Sequence, residues 1–370
     1  MEFREGSLES MVAMDLRSLI SKSYNGKKVF LTGHTGFKGT WLLSWLHALE
    51  ADIKGYSLDP FGYNDLYNLI DGDDLCKSTI ADIRDKERIR DEIINFEPDF
   101  IFHLAAQPLV RDSYLFPVTT FETNIIGTAN VLDAVRHLNK NCTVIIITTD
   151  KVYHNNEWNY PYRETDSLGG YDPYSSSKAC CELVVDSYRS SFFNLKNIEG
   201  HRKALATARA GNVIGGGDRA KDRLIPDIIR AVESGSTISV RNPFAVRPWQ
   251  HVLEPLFGYL LLGAKLSEQP NLYSGSWNFG PYNEDVLSVE DIVKIAIGFF
   301  GDVSYQIVAM ETQEPHEASL LKLDISKAVN DLGWQPKWNT QEAIQKSLDW
   351  YKRSLIESPF DLVREQIRAY

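Results

Sequence analysis

The chain has 370 residues, 43% hydrophobic and 24% charged, enough to bury one large core or two unequal ones and too apolar for a disordered chain. A formal net charge of −11 argues against wholesale binding to nucleic acid or to anionic membranes, and leaves room for a local basic pocket that cups a small phosphorylated ligand. No apolar run approaches the roughly 18 residues of a membrane span, and the four cysteines suggest neither a disulfide framework nor a zinc spacing, so a soluble, metal-free protein of the reducing cytoplasm is expected.

Residues 1–26 lack the basic start and apolar block of a signal peptide and read as an N-terminal extension that carries no fold argument. From there strand and helix signals alternate. "KKVFLTG" (27–33) is an apolar run closed by glycine, "TWLLSWLHALE" (40–50) repeats apolar residues at helical spacing, and "DIKGYSLD" (52–59) returns to strand. The pattern continues through "KSTIADI" (77–83), "RDKERIRDEIINF" (84–96), "DFIFHLA" (99–105), one long helical stretch from Asp112 to His137, and "TVIIITT" (143–149). Such alternation predicts an α/β fold, a Rossmann-like doubly wound parallel sheet with helices on both faces. After Gly200 the regularity gives way to Gly and Pro clusters, which predicts a smaller mixed α/β lobe for the substrate. The expected division is a dinucleotide-binding domain over 27–200, with returns near 204–214 and 246–264, a lobe mainly over 215–352, and a tail over 353–370.

The glycines of "TGHTGFKG" (32–39) fall between the first strand and first helix, where they permit a tight turn and let backbone N–H groups approach a pyrophosphate at a helix N-terminus. Their spacing is GxxGxxG, and plain strand-to-helix packing is the alternative reading. Asp59, 20 residues beyond Gly39, stands where a carboxylate accepts hydrogen bonds from the adenosine ribose and repels a 2′-phosphate, which favours NAD over NADP. A turn-forming Asp before Pro60 is the alternative. In "YSSSK", Tyr174 and Lys178 share one face of a helix, so the ammonium can bring the phenol closer to a working proton acceptor for a sugar hydroxyl.

In this order, "TGHTGFKG", "ADI" (81–83), "HLAAQ" (103–107), "TNIIGTAN" (123–130), "TTDKVY" (148–153), "YSSSK" (174–178) and "ARAGNVIGGGD" (208–218) resemble the extended short-chain dehydrogenase/reductase superfamily, nucleotide-sugar branch. With "YRETDSLGGYDPYSSSK" and "RPWQHVLEPLFGYL", the chain is most similar to the CDP-glucose 4,6-dehydratases over essentially Lys27 to Tyr351. The resemblance implies an NAD cofactor held by Gly33, Thr35, Gly36, Phe37, Gly39, Asp59, Asp82, Ile83, Ala105, Ala106, Gln107, Asn124, Tyr174 and Lys178. It implies a CDP-glucose substrate met by Gln107, Asn212, Arg223, Arg241 and Arg247, and a homodimer or homotetramer built on helices 112–138 and 174–193. It also implies a product destined for the deoxy sugars of bacterial surface polysaccharide, including O-antigen. Duller roles compete: Asp82 can cap the helix at Arg84, Asn124 can satisfy backbone groups, and arginines in Pro-rich loops are commonly solvated.

The same resemblance implies roles for the strand-end residues. Thr149 and Tyr174 would address the 4-hydroxyl, Asp150 would protonate the departing 6-hydroxyl, and Lys151 would remove the C5 proton. A lysine of ordinary pKa near ~10.4 is almost wholly protonated at neutral pH, so Asp150 and Lys151 are expected to share a proton in a closed site. A 4-epimerase needs neither residue, and a sensing module that keeps only the fold would be expected to lack Thr149, Tyr174 or Lys178. The segment 154–172, rich in aromatic residues, reads as a loop over the sugar or as a packed surface loop, and the bulky His34 as a residue that loosens the cofactor.

Overall fold

A computed structural model describes residues 15–240, 242–285, 287–301, 304–308 and 320–370. Its centre is a parallel sheet of seven strands: β1 (Lys28–Thr32), β2 (Asp52–Ser57), β3 (Lys77–Ile80), β4 (Phe100–His103), β5 (Cys142–Ile147), β6 (Lys203–Ala210) and β7 (Gly275–Phe279). They lie side by side as β7-β6-β5-β4-β1-β2-β3, every neighbouring pair parallel. The chain order reverses between β1 and β4, and ligands of such sheets bind at the carboxyl ends of the strands beside that point.

Alternating side chains divide the core between the two faces. Phe30 of β1 and Val144 and Ile146 of β5 pack on one side, against Ile89 and Ile93 of helix α2 (Lys86–Phe96) and Val131 and Val135 of helix α3 (Gly127–Arg136). Val29, Leu31, Ile145 and Ile147 pack on the other, against helix α1 (Phe37–Ala48). Helix α4 (Pro173–Ser191) joins the first face through Val185.

The stretch expected as one helix from Asp112 to His137 is broken. Helical segments Val110–Leu115 and Pro117–Phe121 meet at Phe116, because Pro117 has no N–H to continue the first and starts the second instead. A π-turn over Glu122–Ile126 then leads into α3.

Beyond β6 come helix α5 (Leu224–Ser234), helix α6 (Leu253–Glu268), helix α7 (Val289–Phe300), helix α8 (Thr340–Arg353) and helix α9 (Pro359–Ala369). Three two-stranded pairings, 213–214 with 250–251, 246–247 with 287–288, and 238–240 with 305–307, assemble the smaller lobe. The last strand of the main sheet, β7, comes from the stretch expected to lie mainly in that lobe, and α6 is the crossover that returns the chain parallel to β6.

Both ends of the described chain pack on the core. Residues 15–24 are helical, with Tyr24 fully buried against Phe100 and donating its hydroxyl hydrogen to the Leu260 carbonyl at 2.8 Å. At the other end, α9 buries Leu362 and Val363, and the Tyr370 hydroxyl donates to Glu254 at 2.7 Å.

Candidate active site

A cleft of about 1330 Å³ opens along the carboxyl ends of β1, β2, β4, β5 and β6 and is roofed by the smaller lobe. Roughly 300–1,000 Å³ accommodates one small ligand, so this volume suits a dinucleotide and a second nucleotide together.

The floor is the glycine turn. Gly33 takes φ +75, and a Cβ at Gly39 would stand 1.9 Å from the Gly33 carbonyl oxygen, so only glycine lets α1 start this close to β1. Gly36 is the N-cap of α1 and offers no side-chain cap, which leaves the first-turn N–H groups to a ligand. Phe37 also lines the floor, and Thr35 donates its hydroxyl hydrogen to the Leu58 carbonyl at 2.9 Å, tying the turn to the end of β2. His34 does not line the cleft. Its buried ring shares a hydrogen bond with Ser78 (2.8 Å) and meets Tyr67 edge-on, while burial pushes its pKa down to about 4.

Asp59 lies exposed on the cleft wall two residues past β2 and makes no hydrogen bond or ion pair with the described residues. Asp82 and Ile83 stand beside it. The Asp82 carboxylate accepts from the Arg84 backbone N–H at 2.8 Å and from its guanidinium at 2.6 Å, bonds that hold its pKa below the usual range. The N-cap of α2 is Asp85, which accepts from Arg88 N, so Asp82 does not cap that helix. Ala105, Ala106 and Gln107 line the next wall. The Gln107 side chain is committed to its own loop, accepting from Leu109 N at 2.5 Å and donating to Thr120 Oγ1 at 2.9 Å. Asn124 is not on the cleft surface: it accepts from Gln107 N (2.8 Å), donates to Gln107 O (3.1 Å) and to Ser177 Oγ (2.8 Å), and so ties the wall to α4.

At the deep end, β5 delivers Thr149 as the N-cap of a single 3-10 turn, Asp150–Val152. Thr149 donates its hydroxyl hydrogen to Asp150 Oδ1 at 2.9 Å, and both residues are buried. Asp150 and Lys151 form no ion pair, because successive side chains of a 3-10 turn diverge; Lys151 Nζ, on the cleft wall, makes no hydrogen bond or ion pair with the described residues. The expected proton-sharing contact between the two is therefore absent.

Tyr174 and Lys178 face the same space from the first turns of α4, whose N-cap Asp172 accepts from Ser175 N at 2.9 Å. Burial pushes the Tyr174 phenol up to about 12, opposed by the Thr149 hydroxyl and the Arg223 guanidinium. Lys178 donates to the Ile147 carbonyl at 3.2 Å and is held below its ordinary pKa by burial. From the opposite wall come Asn212, Arg247 and Arg223; Arg223 starts α5 and pairs with the buried Asp218 at 2.9 Å. Arg241 lies outside the described residues.

The loop 154–172 contributes its ends to the cleft, while Tyr162 in its middle exchanges 2.8 Å backbone bonds with Lys322 and Asp324 and stacks on Tyr153 at 5.1 Å.

Three neighbours escaped sequence reasoning. Lys38, inside the glycine motif itself, lines the cleft with its ammonium 3.4 Å from the Tyr259 hydroxyl; burial first, then Arg223 and Lys178, lower its pKa to about 7. Gly211 stands where a Cβ would be 2.5 Å from Asp150 Oδ2. Glu182, one turn beyond Lys178, accepts from Thr148 (2.5 Å), Thr207 (2.7 Å) and Arg209 (2.9 Å), a buried knot under the strand ends. Lys38 and Gly211 were visible as residues of quoted motifs; only the fold assigns Glu182 its partners.

The profile of the GDP-mannose 4,6 dehydratase family matches residues 30–347. The chain belongs to that family. Among curated members and relatives, it is 49% identical over 335 residues to the CDP-glucose 4,6-dehydratase of Salmonella typhimurium (strain LT2), covering 90% of this chain and 93% of the relative. It is 28% identical to the CDP-paratose 2-epimerase of Salmonella typhi, covering 87% and 98%. The dehydratase-family fold also recurs in DesIV, the dTDP-glucose 4,6-dehydratase of Streptomyces venezuelae solved with NAD and TYD bound, at TM-score 0.74 and 22% identity, over 90% of this chain and 99% of that one. The resemblance read from the motifs and the parallel α/β fold both hold.

Proposed function

We propose that this chain is an NAD-dependent hydro-lyase that converts CDP-glucose to CDP-4-keto-6-deoxyglucose. The observation that carries the reading is the convergence of Thr149, Asp150, Lys151, Tyr174 and Lys178 on one end of a cleft whose other end is the glycine turn, in a chain 49% identical to a CDP-glucose 4,6-dehydratase.

The residues fit NAD: the uncapped first-turn N–H groups that follow Gly36 would meet the pyrophosphate, the Asp59 carboxylate would suit the adenosine ribose hydroxyls, and Asp82 and Ile83 would flank the base. NAD, when bound, supplies the hydride acceptor at C4 and the hydride donor at C6. The side chains supply the proton transfers. Tyr174 takes the 4-hydroxyl proton, with Thr149 hydrogen-bonded to the same oxygen and Lys178 fixing the helix start through the Ile147 carbonyl. The ketone at C4 then makes the C5 hydrogen removable, and Lys151 takes it. Asp150 gives a proton to the 6-hydroxyl, which leaves as water. Lys151 returns its proton to C5, and the proton held by Tyr174 replaces the one Asp150 gave up, so each side chain ends as it began. Arg223, at the N-terminus of α5, suits the substrate diphosphate, joined by Asn212, Arg247 and Arg241, while Gln107 and Asn124 act through the cofactor wall.

Residues 27–200 carry the cofactor and 215–352 most of the nucleotide sugar. A homodimer, alone or within a tetramer, is supported by the exposed Leu115 (70%), Val118 (67%) and Leu183 (58%) on the segments before α3 and on α4. No helix of the described residues is long and apolar enough to cross a membrane, which fits a cytoplasmic enzyme supplying deoxy sugars for surface polysaccharide such as O-antigen. The test is incubation with CDP-, dTDP-, GDP- and UDP-hexoses plus NAD, followed by mass spectrometry. Loss of water from CDP-glucose alone supports the reading; isomerisation without change of mass replaces it with epimerisation.

A further inference from the structure

The loop that leaves β2 carries an apolar side chain that none of the described residues covers. Phe61 has a relative exposure of 101%, yet it lines the cleft, two residues beyond Asp59. Leu58 beside it is 56% exposed, and Asp82 and Ile83, just past β3, line the same cleft. The loop tip is held locally, Gly62 N–H donating to Asp65 Oδ2 at 3.1 Å and Asn68 donating to the Gly62 carbonyl at 2.8 Å, while a Cβ at Gly62 would meet nothing within 4 Å. An exposed phenylalanine on a cleft wall leaves on the order of 150–250 Å² of aromatic surface in water unless a ligand covers it.

We propose that Phe61 stacks on the adenine ring of the bound dinucleotide and closes the adenosine end of the cleft. The inference rests on the reading that NAD occupies this cleft with its ribose at Asp59. From that carboxylate the base would extend toward the part of the cleft that Phe61 and Ile83 both line. A flat aromatic face suits a purine, and base–aromatic stacking is worth roughly 1–3 kcal/mol per base. Asp59 then selects the ribose and Phe61 holds the base.

Because Phe61 is fully exposed among the described residues, its replacement leaves the core intact. Isothermal titration of the full chain with NAD, ADP-ribose and CDP tests the assignment in wild type, Phe61→Ala, Phe61→Leu and Phe61→Trp. Phe61→Ala is expected to weaken NAD and ADP-ribose by about tenfold, about 1.4 kcal/mol, with Phe61→Leu between and Phe61→Trp at or above wild type. CDP affinity stays unchanged throughout. In Phe61→Trp, ADP-ribose quenches the fluorescence that this tryptophan adds. Unchanged ADP-ribose binding in Phe61→Ala overturns the inference and leaves the cofactor reading standing. An equal loss for CDP overturns it as well, since the effect is then not one on adenine. Wild-type protein that binds neither NAD nor ADP-ribose overturns both.

Discussion

Asp150 owes its position to a residue with no side chain. A Cβ at Gly211 would lie 2.5 Å from Asp150 Oδ2, and Asp150 is buried with Thr149 as its hydrogen-bond donor, so the carboxylate has nowhere equivalent to go. Gly211→Ala is expected to displace it, cutting dehydration by about a hundredfold or more, as for loss of a general acid, and costing roughly 1–3 kcal/mol of stability through overpacking. Steady-state assays alongside chemical denaturation check both, and NAD affinity should be unchanged. Lys151→Ala addresses the other half of the elimination. Its ammonium bonds no described residue, so the substitution should leave the fold intact and let reduced cofactor accumulate, seen as near-ultraviolet absorbance, while water loss stops. Unchanged turnover removes Lys151 from the mechanism. Thr149, Tyr174 and Lys178 could be read from the sequence because each follows a strand or opens a helix at a fixed spacing. Lys38 could not, although it sits within the glycine motif: only the folded cleft surrounds it with Arg223, Lys178 and Asp150 and brings its pKa down to about 7.

At the scale of elements, strand ends are held by buried polar contacts made across long sequence separations. Glu182 on α4 and Arg209 on β6 are each almost fully buried and bonded at 2.9 Å, with Thr148 and Thr207 completing the carboxylate. Glu182→Ala leaves the guanidinium uncompensated and is expected to cost roughly 3–5 kcal/mol, readable by thermal or urea unfolding; a loss below 1 kcal/mol would mean that water or another carboxylate reaches Arg209. β1 was legible as an apolar run closed by glycine and β4 and β5 as apolar runs alone, while β2 and the polar β3 follow from the alternation with helices. The break at Pro117 was visible as a residue and overlooked as a boundary, since helical periodicity continues across it. β7 was hidden for a different reason: "GSWNF" opens on glycine among Gly and Pro clusters, and what makes it a strand is its parallel pairing with β6, delivered by α6. The packing of the described ends is hidden for the same reason. Nothing local in residues 15–24 or 359–369 announces that Tyr24 and Tyr370 will each reach a buried acceptor.

Across the whole molecule, burial fixes charge states that set how stability varies with pH. His103 and His251 are held down to about 3 and His34 to about 4, each first by burial. A histidine with a depressed folded pKa contributes stability that is present above its unfolded value near ~6.5 and is lost as pH falls toward the folded value. Glu254 has the opposite sign. Burial raises it to about 7 against donors from Lys337, Trp338 and Tyr370, so its contribution is full below its unfolded value and is lost as pH rises through 7. Between about pH 4.5 and 6.5 the three histidines outweigh the one carboxyl, and these four groups together should lower stability by roughly 2–3 kcal/mol per pH unit on acidification. Urea titrations across that range check the slope. His34→Asn should flatten it, whereas Glu254→Gln should steepen it.

The central claim is that one cleft both oxidises C4 and expels the 6-hydroxyl, and it meets its most direct test in the fate of a single labelled hydrogen. Purified protein would be given NAD and CDP-glucose carrying deuterium at C4, and the product examined by mass spectrometry and NMR. The account predicts a 4-keto-6-deoxy sugar nucleotide lighter by one water, with the deuterium retained at C6. A product of unchanged mass with the label back at C4 would contradict it and make the cleft that of an epimerase.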